Sequence, residues 1–215
     1  MTVADRKQRE KEQRRTEILD SAERLFIANG YDGTSVDDIA KMTELSKGTI
    51  FLYFGSKDAL FTSVVLNGIR KLNGMIVEAV AKQRTELDKL RSIGGAVLRY
   101  STEHTDHLAL MKYFRSGRFE IGPHPSNDAK EIMRLTAEND MLVVETIRRG
   151  IEAGEIRDDV DPVELALLLR FVTGGIMNME PNGWKYLEDR GIGKEGLVED
   201  LWQMIKRTIS KGVSE

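Results

Sequence analysis

Apolar residues recur at three- and four-residue spacing through most of this chain, so that long stretches between glycines carry them on one helical face. Over residues 16–29, Ile18, Leu19, Ala22, Leu25 and Phe26 share such a face, and Gly30 stands where a C′ glycine ends a helix. The loop Tyr31-Asp32-Gly33-Thr34 follows. Ser35, with Asp38 three residues later, is a capping-box pattern that opens a short helix from Val36 to about Thr43, burying Val36, Ile39 and Ala40. Ser46 caps a second short helix, roughly 47–53, and Ser56 caps a long one from Lys57 to about Ala81. The rest reads as helices near 86–102, 104–118, 127–153, 162–179 and 194–211, with Gly122-Pro123-His124-Pro125 and Pro181-Asn182-Gly183 as breaks. Asp161-Pro162-Val163-Glu164 is a well-formed helix start: a capping Asp, proline first and Glu third. With 4 prolines and few aromatics, the expected fold class is all-α.

Two short helices joined by a tight turn, after a longer supporting helix, make a helix-turn-helix. The second is too small to serve well as a core element. Its first residues, Lys47, Gly48 and Thr49, are small or polar enough to approach a nucleic-acid groove closely. Ile50 and Phe54 face inward, which leaves Lys47, Phe51 and Leu52 on the opposite side. An exposed Phe-Leu pair on so short a helix has a use if it meets thymine methyl groups. Lys57 sits in the first turn of the long helix, where the dipole disfavours a cation by roughly 0.3–1 kcal/mol. A phosphate bound there would reverse the sign, since the lysine and the free N–H groups both favour an anion.

Composition narrows the alternatives. A chain of 215 residues can bury a real core, and 40% hydrophobic with 31% charged residues is a soluble balance. The absence of cysteine excludes disulfides, thiolate catalysis and zinc fingers. The start MTVADRKQREKEQRR has no apolar core of a signal peptide, and the apolar window Leu165–Met179 is interrupted by Arg170 and too short to span a bilayer. A cytoplasmic protein is expected. The net charge of -3 argues against nucleic acid, but six bases lie between Arg6 and Arg15 against Glu10 and Glu12, in a basic N-terminal arm over residues 1–13. His104 and His107 share a helix face, yet without cysteine or a nearby Glu-x-x-His partner they read as a solvated helix start, so no metal and no cofactor is expected. An enzyme would need a glycine-rich phosphate loop, a nucleophile elbow or paired carboxylates, none of which is found. A helical interaction protein would have no use for the head motif.

The run Gly33-Thr34-Ser35-Val36-Asp37-Asp38-Ile39-Ala40, then Ser46-Lys47-Gly48-Thr49-Ile50-Phe51-Leu52-Tyr53-Phe54, then Ser56-Lys57-Asp58-Ala59-Leu60, resembles the head of the tetracycline-repressor (TetR) family. A second resemblance lies at Gly150-Ile151-Glu152-Ala153-Gly154-Glu155-Ile156, with Asp161-Pro162 and Leu165-Ala166 after it. The resemblance implies a homodimeric DNA-binding transcriptional regulator, a repressor whose hold on a roughly palindromic operator is modulated by a small apolar ligand. It implies that Lys47, Gly48 and Phe51 face bases, and that Ser35, Thr49, Tyr53 and Lys57 hold phosphates. Three positions depart from the family pattern and bear on the operator sequence. Phe51 stands for the usual tyrosine, Glu44 for the usual turn glycine, and Asp37 for an arginine that reads a base in some members.

The expected organisation is a basic arm over 1–13, a helix-turn-helix domain over 14–58 and a ligand-binding and dimerisation domain over 59–215. The middle helices carry Met75, Tyr100, Met111, Tyr113, Phe114, Phe119 and Met141, where the family encloses its inducer; Tyr100, Met111, Phe114 and Met141 are the candidate ligand contacts. The helix after Pro162 is apolar nearly all round, as a buried helix is. By the resemblance it joins the last helix in a four-helix bundle with a second subunit. The candidate interface is Leu165, Leu168, Leu169, Val172, Ile176, Trp202, Ile205 and Ile209.

Overall fold

The structure, a computed structural model, describes residues 2–119 and 125–211, without the side chain of Pro181. Among the described residues the chain forms ten helices: α1 (Val3–Asn29), α2 (Val36–Met42), α3 (Lys47–Phe54), α4 (Lys57–Ala81), α5 (Glu86–Glu103), α6 (Thr105–Arg115), α7 (Asn127–Glu152), α8 (Pro162–Met177), α9 (Pro181–Glu188) and α10 (Lys194–Ile209). No single described helix is long and apolar enough to cross a membrane.

Two sequence expectations need correction. The basic arm is helical and continuous with α1: Thr2 and Asp5 form a capping box, and Arg6–Glu10 and Gln8–Glu12 pair one turn apart. The segment Pro181-Asn182-Gly183 does not break the fold but opens α9, because proline at a first helical position gives up no needed hydrogen bond. Of the expected break at Gly122-Pro123-His124-Pro125, all but Pro125 lies outside the described residues.

The chain divides into two compact units, Met1–Lys71 with His104–Leu135, and Leu72–Glu103 with Thr136–Glu215. This grouping by contact differs from the expected grouping by role, because α6 and the first turns of α7 fall with the head. In the first unit Ile18, Ala22 and Phe26 of α1, Ile39 of α2, Ile50 of α3 and Leu60, Phe61 and Val64 of α4 are all buried. Phe61 meets Phe26 edge-on and also contacts Tyr113 and Phe114 of α6 and Phe119. Polar ties join the same elements. Tyr113 donates to Asp32 at 3.0 Å, and His107 Nε2 lies 3.1 Å from the Glu23 carboxylate. Ser63 of α4 donates to Asp128 of α7. The hydrogen bond from His107 holds the Glu23 carboxyl below its usual range.

The second unit has two apolar clusters. Ile76, Ile93 and Ala96 form one, with Leu72, Val97 and Leu142 packed against it. Leu90, Ile147, Ile156 and Ile209 form the other, joined by Leu165, Leu169, Trp202 and Ile205. The Gly150–Ile156 motif explains how the second cluster closes. Gly154 takes a left-handed conformation (φ +73°), and the N–H groups of Glu155 and Ile156 both donate to the Gly150 carbonyl, ending α7. The turn throws fully buried Ile156 back over Gly150, where an added Cβ would lie 2.6 Å from the isoleucine Cδ1. Ile156 then pairs antiparallel with Ser210 just past α10, the Arg157 N–H donating to Ile209 and the Lys211 N–H to Glu155.

Gly150→Ala therefore overpacks a site that has no slack. It is expected to cost about 1–3 kcal/mol, read as a lower urea midpoint at unchanged slope. An unaltered midpoint would show that Ile156 is not the tight contact described.

Candidate nucleic-acid interface

Helices of seven and eight residues are too short to persist on their own, so α2 and α3 depend on their ends and their buried faces. Each start is capped by serine. Ser35 accepts from the Asp38 N–H while Asp38 accepts from Ser35, a complete capping box; Ser46 accepts from the Thr49 N–H. Ser56 accepts from the Ala59 N–H and starts α4 in the same way. Each cap is worth about 1 kcal/mol. Between α2 and α3, the Thr43, Glu44 and Leu45 N–H groups return to the carbonyls of Ile39, Lys41 and Ala40, which makes the turn tight. Its geometry forces Glu44 to φ +55°, at a cost of about 1 kcal/mol for a side chain with a Cβ.

The outward face of α3 matches the sequence reading. Ile50 and Phe54 are buried, which fixes the rotation of the helix; Lys47 and Gly48 are exposed, Phe51 is 39% exposed and Leu52 83%. No internal demand for glycine exists at position 48, where an added Cβ would make ordinary contact with Ser46 Oγ at 3.7 Å. Its missing side chain is free to serve an approaching surface instead. Thr49 shares its hydroxyl with Ser46, and Tyr53 is half-buried beside Arg15, Phe54 and Ser63 in a shallow groove.

Two cations at this surface are positioned by neighbours that the sequence did not pair with them. The Lys57 ammonium stands 4.1 Å from the centre of the Tyr31 ring, and the Tyr31 hydroxyl donates to Asp58. Burial, and then that hydrogen bond, push the Tyr31 phenol well above its usual range, so it stays a neutral donor. Lys47 Nζ lies 3.0 Å from the Asp37 carboxylate, across the turn. Both groups are about half exposed, and such a pair is worth about 0–1 kcal/mol. Farther back, the Arg15 guanidinium lies 4.8 Å from the centre of the Phe54 ring and 3.6 Å from Asp128. Aromatic residues flanking a helix-turn-helix were the available sequence signal for Tyr31; nothing local marked Arg15 beyond its place in a basic run.

The model of the family described as bacterial regulatory proteins, tetR family, matches residues 18–64, from within α1 to the second turn of α4. The head of this chain is a TetR-family head. It is therefore that of a DNA-binding transcriptional regulator. Among curated TetR relatives, the HTH-type transcriptional repressor Rv1474c of Mycobacterium tuberculosis is 29% identical over 167 residues, 76% of this chain and 80% of the relative. The biofilm operon negative regulator IcaR of Staphylococcus aureus is 36% identical over 73 residues, 34% of this chain and 39% of IcaR. The match thus spans well under half of IcaR. Of solved structures, AibR in complex with isovaleryl coenzyme A and operator DNA superposes with a TM-score of 0.66 at 18% identity, over 89% of this chain and 97% of that one.

The other TetR-type candidates are spread more widely. Tyr100 and Met141 belong to the second unit, Met111 and Phe114 to the first. Tyr100, Met111 and Phe114 are buried, whereas Met141 is 62% exposed. On α8, Leu165, Leu169 and Ile176 face the chain's own interior, as do Trp202, Ile205 and Ile209 of α10. Leu168 is exposed and Val172 half-buried. Helical spacing explains the split. Leu165, Ala166, Leu169, Val172 and Ile176 fall on one side of α8, and Val163, Leu167, Leu168 and Phe171 fall on the remaining arc of roughly 140°. These last four are all exposed, as is Met204 of α10. His104 and His107 belong to no cluster able to hold a metal among the described residues.

Proposed function

We propose that this protein is a homodimeric repressor that reads a roughly palindromic operator through α3 and releases or tightens it in response to a small, largely apolar effector. The observation that carries the DNA reading is the exposed Lys47-Gly48-Phe51-Leu52 face on a helix whose rotation is fixed by buried Ile50 and Phe54. In this reading Lys47, Gly48 and Phe51 meet base edges, Phe51 and Leu52 contacting thymine methyls. Ser35, Thr49, Tyr53 and Lys57 hold phosphates, the last with the free N–H groups at the start of α4. The head over 14–58 reads DNA, and 59–215 binds the effector and the second subunit. The chain acts in the cytoplasm, where its operator is.

The division of labour is measurable. Lys57→Ala is expected to weaken all duplexes alike and to flatten the salt dependence by about one unit per site. Lys47→Ala is instead expected to relax preference at one position of each half-site, at a cost of about 1–3 kcal/mol against the preferred base. Uniform loss in both variants would refute the assignment of roles.

For the dimer, the outward arc of α8 supports an interface shifted from the residues first expected. Leu165, Leu169, Trp202, Ile205 and Ile209 serve the chain's own core, leaving Val163, Leu167, Leu168, Phe171 and Met204 for the partner. An apolar stripe of this size on one helix has a high cost in water. Leu168→Glu combined with Phe171→Glu is expected to give monomers in sedimentation while the helical content stays. A dimer unchanged in these conditions would remove α8 from the interface.

The effector reading rests on the buried Met111 and Phe114 of the first unit and on AibR, whose solved complex holds isovaleryl coenzyme A. Acyl-thioesters are thus the first class to try. A true effector changes operator affinity by a coupling energy of about 1–3 kcal/mol, some 5- to 150-fold. If saturating isovaleryl coenzyme A and a panel of apolar compounds leave operator affinity unchanged, the effector half falls and the DNA half stands.

A further inference from the structure

An acid on a surface that approaches DNA calls for a reason, since every duplex presents phosphates to it. Asp37 is such an acid: it is exposed in the first turn of α2, and its carboxylate reaches across the turn to the Lys47 ammonium at 3.0 Å. The neighbouring Asp38 is differently occupied, accepting from both the N–H and the hydroxyl of Ser35 in the capping box. Asp38 therefore serves the helix start, and Asp37 serves the first residue of α3. We infer that Asp37 is a specificity-determining residue, which holds the Lys47 ammonium away from phosphates and leaves it for a base that can accept from it. This rests on the reading that puts Lys47 against base edges.

The chemistry follows from the lysine. Its ammonium is a compact, strongly hydrated charge on a flexible stem, so an unrestrained Lys47 would settle on whichever phosphate lies nearest, in any sequence. Such a contact raises non-specific affinity and discriminates nothing. Paired with Asp37, the same ammonium has little net charge to offer a backbone. It keeps two further N–H donors, however, because an ammonium has three. Guanine presents the N7 and O6 acceptors together in the major groove, so a matching base adds bonds without taking the lysine from its carboxylate. Adenine puts an amino donor beside N7, so a lysine held by Asp37 finds one acceptor there instead of two. The pair is half exposed and therefore weak, which lets it bias the lysine without locking it.

Asp37→Asn keeps the shape of the side chain and the polar helix start while removing the charge. Two duplexes serve as probes: the sequence that the wild-type protein selects from a randomised pool, and a random-sequence duplex of equal length. In Asp37→Asn, binding to the random duplex is expected to tighten roughly fivefold to tenfold near 0.1 M salt, and its salt slope to steepen by about 0.9 for each head that binds. Binding to the selected duplex should change less, so the ratio between the two falls. In Asp37→Asn/Lys47→Ala both changes should vanish relative to Lys47→Ala alone. A merely structural ion pair would lower the melting temperature and leave the ratio alone, which overturns the inference. So does a tightening that persists without Lys47, since the carboxylate then acts only as a general repulsive charge. If Lys47→Ala itself binds both duplexes as the wild type does, the interface reading fails and the inference with it; a silent Asp37→Asn beside an altered Lys47→Ala sinks the inference alone.

Discussion

The head depends on pinning two helices that are too short to hold themselves. Hydrogen bonding within seven or eight residues barely offsets the ordering of the chain, so α2 and α3 exist because their ends are capped and their inner faces are buried. The same constraint produces the exposed face of α3. Once Ile50 and Phe54 are committed inward, the remaining positions of α3 have nowhere to go but out, and Phe51 and Leu52 are exposed by geometry as much as by composition. The tight turn that sets the angle between the helices is what places Glu44 in the left-handed region. Strain at one exposed residue is small beside the several caps and buried side chains that determine it.

From this head the aromatic cluster carries order outward. Phe61, in the second turn of α4, lies against Phe26, Tyr31, Tyr113 and Phe119, so α1, α4 and α6 share one packed centre. Tyr31 has two tasks there. Its ring stacks on Tyr113 and faces the Lys57 ammonium, while its hydroxyl is fixed by Asp58. A ring face attracts a cation by about 0.5–1 kcal/mol at such a site, which is the size of the penalty that the helix dipole imposes on Lys57. The lysine is thus balanced inside the protein, and the dipole alone no longer requires an anion beside it. The phosphate contact proposed for it rests instead on its place in the first turn of α4, directly after the Ser56 cap.

Local patterns in the sequence carried the helices well. Ser35 with Asp38, Ser46, Ser56 and Asp161 with Pro162 mark starts through chemistry that operates within three residues, and each is a start in the structure. Glycine at 30 and at 154 follows the ends of α1 and α7. What stayed hidden depended on distance along the chain. Asp37 and Lys47 are ten residues apart, Tyr31 and Tyr113 eighty-two, and no periodicity pairs them. The proline at 181 was misread because proline starts helices as readily as it ends them, and the local residues do not say which. The grouping of α6 with the head was likewise invisible, since it follows from Glu23, Asp32 and Phe61 meeting residues far downstream.

The interface candidates show the same limit in another form. A helix apolar all round announces that both of its sides are covered, but not which side is covered by what. On α8 the answer comes from the second apolar cluster of its unit. Leu165 and Leu169 join Ile147, Ile156 and Ile209, and that choice fixes the rotation of the helix about its axis. Leu167, Leu168 and Phe171 are then turned away by the same rotation, just as Phe51 and Leu52 are turned away on α3 by the burial of Ile50 and Phe54. In both helices the inward residues are fixed by the chain's own stability, and the outward ones serve no purpose in a single chain. Exposed apolar side chains that folding does not require are open for something else to cover: in the proposed reading, a duplex in one case and a second subunit in the other.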